Sequence, residues 1–130
     1  MTRPAPRALL TVWIATQSAG AAGAPEALLT LYRTAGAGPF SAERGAAAWT
    51  RKNGAEERSC ARCHGSDLTQ PGRHVKTGKT IGALAPSADP QRLSDAAQVE
   101  KWLLRNCRWT WGRECSPQEK GDFLQYISSQ

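Results

Sequence analysis

The stretch Cys60-Ala61-Arg62-Cys63-His64 decides the fold, because it has the C-x-x-C-H spacing by which c-type haem is attached to a chain. Two thiols separated by two residues lie about one helical turn apart and can add to the two vinyl groups on one edge of a porphyrin. The histidine that follows at once can bind the iron from the proximal side. We therefore predict one covalent haem c, attached through Cys60 and Cys63 and ligated by His64.

The same C-x-x-C spacing also occurs in zinc sites and in thioredoxin-type redox pairs. A zinc site would need two more ligands at matching spacing, but Cys107 and Cys115 are far from the motif and too widely separated for a second C-x-x-C. A thioredoxin-type pair would need a βαβ context, and no strand pattern precedes Cys60. The pattern therefore favours haem attachment.

The N-terminal segment has the features of a secretory signal peptide. Two arginines precede a short apolar run, and Ala19-Gly20-Ala21 forms an A-x-A cleavage site. We predict that residues 1–21 are a cleaved signal peptide and that residues 22–130 form one monohaem cytochrome c domain in the periplasm. The apolar run is too short to span a bilayer of about 30 Å. No membrane-length segment follows it, so no integral membrane segment is expected after cleavage.

The charge is mildly basic, with 17 Lys and Arg against 11 Asp and Glu. These basic residues are scattered rather than gathered on one helix, so nucleic acid is not expected as a partner. Arg73, Lys76 and Lys79 form a local basic group beside His74. Such a group is usually only solvated; it would also suit docking to an acidic redox partner or pairing with the haem propionates.

Helical periodicity and capping residues predict about four short helices. Together with the haem motif they lead us to expect an all-α, small class I cytochrome c-like fold around the haem. The expected helices cover residues 25–34, 42 to about 50, 95 to about 106, and a final segment capped by Ser116. In the second helix Gly45 and Trp49 lie four residues apart on one face. That face suits packing against the final helix. Residues 65–90 are expected to be loop-rich.

The third of these helices carries a stripe of side chains at helical spacing, formed by Val99, Trp102, Leu103 and Asn106. The last member is an amide, and a polar group on an apolar face needs a partner. Asn106 either serves the C-terminus of its helix, where Asn is common, or faces the haem iron.

The two remaining cysteines are expected to form a disulfide, since the export signal implies an oxidising compartment. Cys107 and Cys115 would bracket a short loop that contains Trp109 and Trp111. Closing a ring of this size contributes about 2.5 kcal/mol by the loop-entropy model. The disulfide would also hold Asn106 in place.

The sixth iron ligand cannot be methionine once the signal peptide is removed. The usual ligand in an electron-transfer cytochrome is Met, and the one methionine of the sequence is Met1. The remaining candidates are His74, Asn106, a lysine and water. Histidine would give a stable six-coordinate site, whereas asparagine is a weak neutral ligand that ferrous iron should release.

From Cys60 to the C-terminus the chain resembles the sphaeroides haem protein family, an oxygen-binding group of class I-like cytochromes c. The resemblance covers more than half of the predicted mature chain. The matching segments are Cys60-x-x-Cys63-His64-Gly65, Thr77-Gly78-Lys79, Leu84-Ala85-Pro86-Ser87, Val99-Glu100-Lys101-Trp102-Leu103, Arg105-Asn106-Cys107, Gly112-Arg113-x-Cys115 and Glu119-Lys120.

The resemblance implies a specific distal chemistry. In that family the asparagine immediately before the first disulfide cysteine ligates ferric iron, moves away on reduction and leaves a position for oxygen or nitric oxide. The matching residue is Asn106, and the matching disulfide is Cys107–Cys115. The usual electron partner in the family is a dihaem cytochrome c, so a redox partner cytochrome is expected here.

Three functions follow from these observations. The first is a gas-binding cytochrome that exchanges electrons with another cytochrome and uses Asn106 as a redox-labile distal ligand. The second is a simple electron carrier ligated by His64 and His74. The third is a haem enzyme that reduces a small nitrogen or oxygen species, for which His74 would be the acid or base.

Overall fold

The computed structural model describes Met1 and residues 23–130, so the predicted signal peptide lies outside the described residues except for Met1. Residues 23–130 form a mostly helical fold, which confirms the predicted all-α class. The elements in chain order are α1 (Ala24–Thr34), α2 (Ala42–Thr50), α3 (Ala61–His64), β1 (Gly72–Arg73), β2 (Thr80–Ile81), α4 (Ala96–Trp111) and α5 (Pro117–Ser128). None of the helices in this described part of the chain is long and apolar enough to cross a membrane.

Side-chain caps begin three of the helices, at residues close to those expected from the sequence. The Ser41 hydroxyl accepts from the backbone N–H of the third residue of α2, and the Asp95 carboxylate does the same in α4. At α5 Ser116 and Glu119 form a reciprocal capping box. Each cap satisfies backbone donors that would otherwise have no partner within the helix.

Helices α2 and α5 cross at Gly45, where their backbones come into direct contact. A Cβ added to Gly45 would lie 2.1 Å from the carbonyl oxygen of Asp122 and 2.7 Å from Cβ of Tyr126. The Asp122 carboxylate accepts hydrogen bonds from the Ser41 backbone N–H at 2.7 Å and from the Arg44 guanidinium at 2.8 and 2.9 Å. The predicted packing of the Gly45 and Trp49 face against the final helix is therefore confirmed.

Two buried apolar clusters fill the interior. One lies beneath the C-x-x-C-H motif and is formed by Trp49, Leu68, Ala85, Cys107, Cys115, Phe123, Tyr126 and Ile127. The other joins α1 to α4 and α5 and is formed by Leu28, Leu29, Tyr32, Val99 and Leu124. The first cluster includes both disulfide cysteines, so α4 and α5 are fixed against the layer that supports the motif.

Helix α4 is longer than the sequence pattern indicated, and this corrects two predictions. The expected end near Asn106 is wrong, because the helix continues to Trp111 and ends at Gly112, which adopts a left-handed conformation with φ 69°. Asn106 therefore does not serve the helix C-terminus. The predicted loop between Cys107 and Cys115 is likewise mostly helical, so Trp109 and Trp111 belong to α4.

The predicted disulfide is present, and it joins the last turns of α4 to the start of α5. The Cα atoms of Cys107 and Cys115 are 5.6 Å apart, and both residues are buried.

The loop-rich region contains a short antiparallel hairpin that the sequence did not predict. In it Gly72 pairs with Ile81 and Arg73 pairs with Thr80. Two-residue strands are too short to produce a recognisable alternation of apolar and polar residues.

Candidate functional site

The C-x-x-C-H motif forms a single helical turn with both thiols free. Cys60 has helical backbone angles just before α3, and Cys63 and His64 are the last two residues of that helix. Neither motif cysteine is in a disulfide, and both are partly buried. Residues three apart on a helix are neighbours on one face. The two thiols are therefore available together, next to the imidazole of His64.

Aromatic side chains from α2 and α5 hold His64 and the backbone that follows it. The Trp49 ring packs against the His64 ring with 5.6 Å between centroids. Its Nε1–H donates to the carbonyl oxygen of Gly65 at 2.8 Å, and the Tyr126 hydroxyl donates to the carbonyl oxygen of Ser66 at 2.9 Å. Both aromatic residues come from the α2–α5 crossing, so that crossing sets the position of the imidazole.

The electrostatic surroundings favour neutral forms of His64 and Cys60. Burial lowers the pKa of His64, and the positive charge of Arg92 lowers it further. Neutral imidazole is the form that ligates metals. Burial raises the pKa of the Cys60 thiol to about 11, an effect that a hydrogen bond with the Thr110 side chain partly offsets.

The hairpin contacts the motif through a glycine. A Cβ on Gly72 would lie 2.2 Å from the carbonyl oxygen of Cys63 and 2.9 Å from Cα of His64. Only a residue without a side chain fits at such distances. Strand β1 is therefore packed directly on α3, on the helix that provides the proximal histidine.

The C-terminal half of α4 lies against the other end of the motif. Thr110 is buried beside Cys60, and its carbonyl oxygen accepts from the Asn53 amide at 3.0 Å. The carbonyl oxygen of Trp109 accepts from the Arg58 guanidinium, also at 3.0 Å. These bonds fix the last turn of α4 to the loop that leads into the motif.

Asn106 lies one helical turn before Thr110 on the same face of α4, and Trp102 lies one turn earlier again. Each of these four-residue steps advances about 6 Å along the helix axis. Asn106 and Trp102 are exposed, and Trp102 retains 47% of its accessible surface. On this face Thr110 lies beside the Cys60 thiol, and the Asn106 amide and then the exposed Trp102 indole follow at increasing distance from it.

His74 is exposed and lies in the hairpin turn. Its Nδ1 accepts the backbone N–H of Thr77 at 3.2 Å and lies 3.1 Å from the Thr77 hydroxyl. Because a backbone N–H can only donate, we assign the proton of the neutral ring to Nε2. In that arrangement neither ring nitrogen of His74 has a free lone pair.

The residues present fit a covalently attached haem. Two free thiols and a partly buried imidazole share one helical turn. The hairpin lies directly against this turn, because Gly72 has no side chain at the point of contact. Apolar surface suited to a porphyrin face is available nearby, since Trp102 on the Asn106 face of α4 is exposed. The donor set of thiols and one imidazole is the one that haem c requires.

Three contributors to the site were not found from the sequence. Trp49 was assigned to a helix-packing face, without its contact to His64. Thr110 was placed in a loop, and Arg92 was not singled out at all. The pairing of Gly45 with Trp49 was the one available signal, because a small residue one turn from an aromatic marks a close helix crossing.

Comparisons with known proteins point to c-type cytochromes. A family described as a domain of unknown function, DUF1924, matches residues 35–127. The chain is 46% identical over 109 residues to the cytochrome c-type protein SHP of Cereibacter sphaeroides, covering 82% of this chain and 84% of that protein.

Solved structures agree with the sequence match. The structure of oxidised SHP, described as an oxygen-binding cytochrome c, has a TM-score of 0.76 at 44% identity and covers 83% of this chain and 98% of that one. A solution structure of cytochrome c'' from Methylophilus methylotrophus has a TM-score of 0.68 at 30% identity and covers 82% and 93% of the two chains. That structure is described as giving insights into the structural basis of haem-ligand detachment.

Proposed function

We propose a function from the premise that this chain belongs to the SHP family of c-type cytochromes and carries, as they do, one covalently bound haem c. The protein is an exported, periplasmic cytochrome with a redox-labile distal ligand. It binds oxygen or nitric oxide when reduced and exchanges electrons with another cytochrome. The relative SHP is itself described as oxygen-binding.

The proximal half of the site follows from the motif helix. Cys60 and Cys63 form the thioether links, and His64 is the proximal ligand. Contact with Trp49 fixes the plane of the imidazole, and burial keeps it neutral. Because Gly72 has no side chain, the hairpin lies directly against the motif helix.

The single observation that carries the distal half is the position of Asn106 on α4. Its face of the helix begins at Thr110, which lies beside the Cys60 thiol, so this face would border a haem attached at Cys60. The Cys107–Cys115 disulfide fixes the residue next to Asn106 in the core. The backbone at Asn106 is therefore anchored while its side chain is exposed, which suits a labile ligand.

Asparagine suits a ligand that leaves on reduction. Its carboxamide oxygen is a neutral donor, and its amide nitrogen carries two N–H donors. When ferrous haem has no sixth ligand, it supplies an open position for a diatomic gas. Once withdrawn, the Asn106 amide would be available to donate a hydrogen bond to a gas molecule.

The placement of His74 argues against the two alternative functions. A second histidine ligand would have to reach the iron from the side away from His64, whereas the hairpin that carries His74 packs against α3, the helix that carries His64. The His74 ring is also engaged by Thr77. These contacts support neither a bis-histidine electron carrier nor a distal acid or base at His74.

Replacing His74 with alanine tests this assignment. We expect the ferrous absorption spectrum and the affinity for carbon monoxide to remain unchanged, because His74 does not contact the iron. Lys76→Ala, in the same turn, is the matched control. Loss of a low-spin ferrous spectrum in the His74 variant alone would instead establish the electron carrier, and loss of turnover with intact gas binding would establish the enzyme.

The proposed electron partner is a cytochrome with an acidic docking face, and the family resemblance favours a dihaem cytochrome c. Arg62, Arg73, Lys76 and Lys79 form a cationic group on α3 and the hairpin, next to the haem attachment site. None of the four is within ion-pair distance of a carboxylate in the described part of the chain. Glu56 lies nearby, and its pKa is lowered by Arg58 first and more weakly by Lys76 and Arg62.

Reversing one charge of this group should slow reduction by an acidic donor. For Lys79→Glu we expect the second-order rate of reduction by flavodoxin, used as an acidic one-electron donor, to fall about tenfold at low ionic strength. The difference from wild type should shrink as salt is added. Arg33→Glu on α1 changes the net charge equally and is the control. Equal slowing in both variants would contradict docking at the hairpin.

A further inference from the structure

The guanidinium of Arg92 carries a buried hydrogen-bond donor that the surrounding residues do not satisfy. Its Nη2 atom would be 2.5 Å from a Cβ added to Gly82, the residue that follows strand β2. Its Nε atom is 3.0 Å from a carboxylate oxygen of Asp89. The two groups are not aligned for a hydrogen bond, and Nε is buried without a hydrogen-bond partner. A buried donor in this condition costs free energy unless something else accepts from it.

The backbone around Arg92 holds the side chain in this place. The Arg92 N–H donates to the carbonyl oxygen of Asp89 at 2.9 Å, which closes a turn before α4. The next residue, Leu93, has φ 59°, a conformation that a branched side chain rarely adopts. Leu93 packs against both buried clusters, which compensates for that conformation. The turn therefore presents Arg92 from a fixed base.

The guanidinium of Arg92 lies beside the hairpin that packs against the motif helix. Gly82, which it contacts, follows Ile81, and Ile81 pairs with Gly72, the residue packed against Cys63 and His64. Arg92 comes from the segment between the hairpin and α4, far from the motif in sequence. The structure thus brings one guanidinium with an unsatisfied nitrogen to the hairpin that supports His64.

We propose that Arg92 binds a propionate of the haem c and raises the reduction potential of the iron. A guanidinium and a carboxylate form short paired hydrogen bonds. Nε and Nη2 are adjacent donors on one edge of the guanidinium fork, so a single carboxylate can accept from both. Asp89, whose carboxylate oxygen lies 3.0 Å from Nε, orients the guanidinium and neutralises part of its charge.

The effect on potential follows from Coulomb's law. A cation near the iron destabilises the ferric state more than the ferrous state, because the ferric site carries one more positive charge. Pairing with Arg92 also keeps the propionate ionised and fixed. This inference rests on the haem c shown for the family and is independent of the gas-binding function.

The test compares Arg92→Gln and Arg92→Lys with wild-type holoprotein. The experiment is a spectroelectrochemical titration at pH 7 and low salt. At a fixed applied potential we expect the ferrous-to-ferric ratio of Arg92→Gln to be about tenfold lower than that of wild type, which corresponds to a reduction potential lower by about 59 mV. Arg92→Lys keeps the charge and should restore most of the potential. Arg33→Gln on α1, where the arginine pairs with Glu26, should leave the potential unchanged.

A second measurement separates propionate binding from a merely structural role. In the resonance Raman spectrum, the propionate bending band should shift in both Arg92 variants and stay in place in Arg33→Gln. An unchanged band and potential in Arg92→Gln with haem attached would overturn the proposal. An equal shift of potential in Arg33→Gln would also overturn it. If the Arg92→Gln holoprotein does not accumulate, the Arg92→Lys variant provides the test. Lysine keeps the charge but lacks the paired guanidinium donors, so the propionate bending band must still shift.

Discussion

Replacing Asn106 with alanine is expected to open the ferric haem to external ligands. In the proposed site an external ligand would have to displace the Asn106 side chain, so its apparent affinity would be reduced to the extent that Asn106 occupies that position. We expect the affinity of ferric protein for imidazole to rise at least tenfold in the variant. Alanine is a better helix former than asparagine, so α4 should be preserved.

The same substitution should affect the reduced protein in a different way. A gas molecule would lose the hydrogen bond donated by the withdrawn amide, which is worth about 1 kcal/mol. Oxygen should therefore dissociate several-fold faster, while the rate of carbon monoxide binding should change little. Stopped-flow and flash-photolysis measurements give both rates.

The control for Asn106 is Arg105→Ala, which removes the guanidinium that lies over the Trp102 ring but leaves Asn106 and Thr110 in place. Its ferric imidazole affinity should match the wild type. If Asn106→Ala behaves like Arg105→Ala in the ferric state, Asn106 is not the distal ligand. In that case water or a lysine would have to fill the position.

Replacing Gly45 with alanine should cause the largest loss of stability. The added methyl carbon would lie 2.1 Å from the carbonyl oxygen of Asp122, a backbone atom of α5 that cannot rotate away. The helices must separate, which would weaken the Asp122 bonds to Ser41 and Arg44 and shift Trp49 from His64. Overpacking of this kind costs about 3 kcal/mol. Denaturant unfolding of the holoprotein measures the loss.

Ala47→Gly is the matched control, because it lies on the exposed side of α2 and changes helix propensity alone. It should cost about 1 kcal/mol. A Gly45→Ala holoprotein as stable as the wild type would show that α2 and α5 do not cross at Gly45. A normal spectrum in a strongly destabilised Gly45→Ala protein would show that the crossing supports the fold without positioning His64.

Local signals were sufficient for much of this molecule. The C-x-x-C-H motif predicted the haem, and capping patterns at Ser41, at Ser94 or Asp95, and at Ser116 predicted where three helices begin. These features depend on neighbours within a few residues, so they can be read in the sequence. The disulfide was predicted from the export signal and the number of remaining cysteines.

Several features that depend on distant contacts were not predicted, although the packing of the Gly45 and Trp49 face against α5 was. The last turn of α4 was assigned to a loop, although Asn53 and Arg58 hold it to the segment before the motif through the carbonyl oxygens of Thr110 and Trp109. Gly112 was the available sign of the true helix end, since left-handed glycine often ends a helix.

The hairpin and Arg92 have no sequence signal at all. The strands are two residues long, and Gly72 reveals its role only through its distance from Cys63. Arg92 is one of many arginines until its distance from Gly82 and Asp89 is known.

The central claim, that a distal ligand leaves on reduction, is tested most directly by the visible absorption spectrum of the holoprotein. The spectrum should be recorded oxidised, then reduced under argon, and then after addition of oxygen or carbon monoxide. We predict a high-spin ferrous spectrum that shifts with each gas. A sharp low-spin ferrous spectrum that neither gas alters would contradict the proposed gas-binding function.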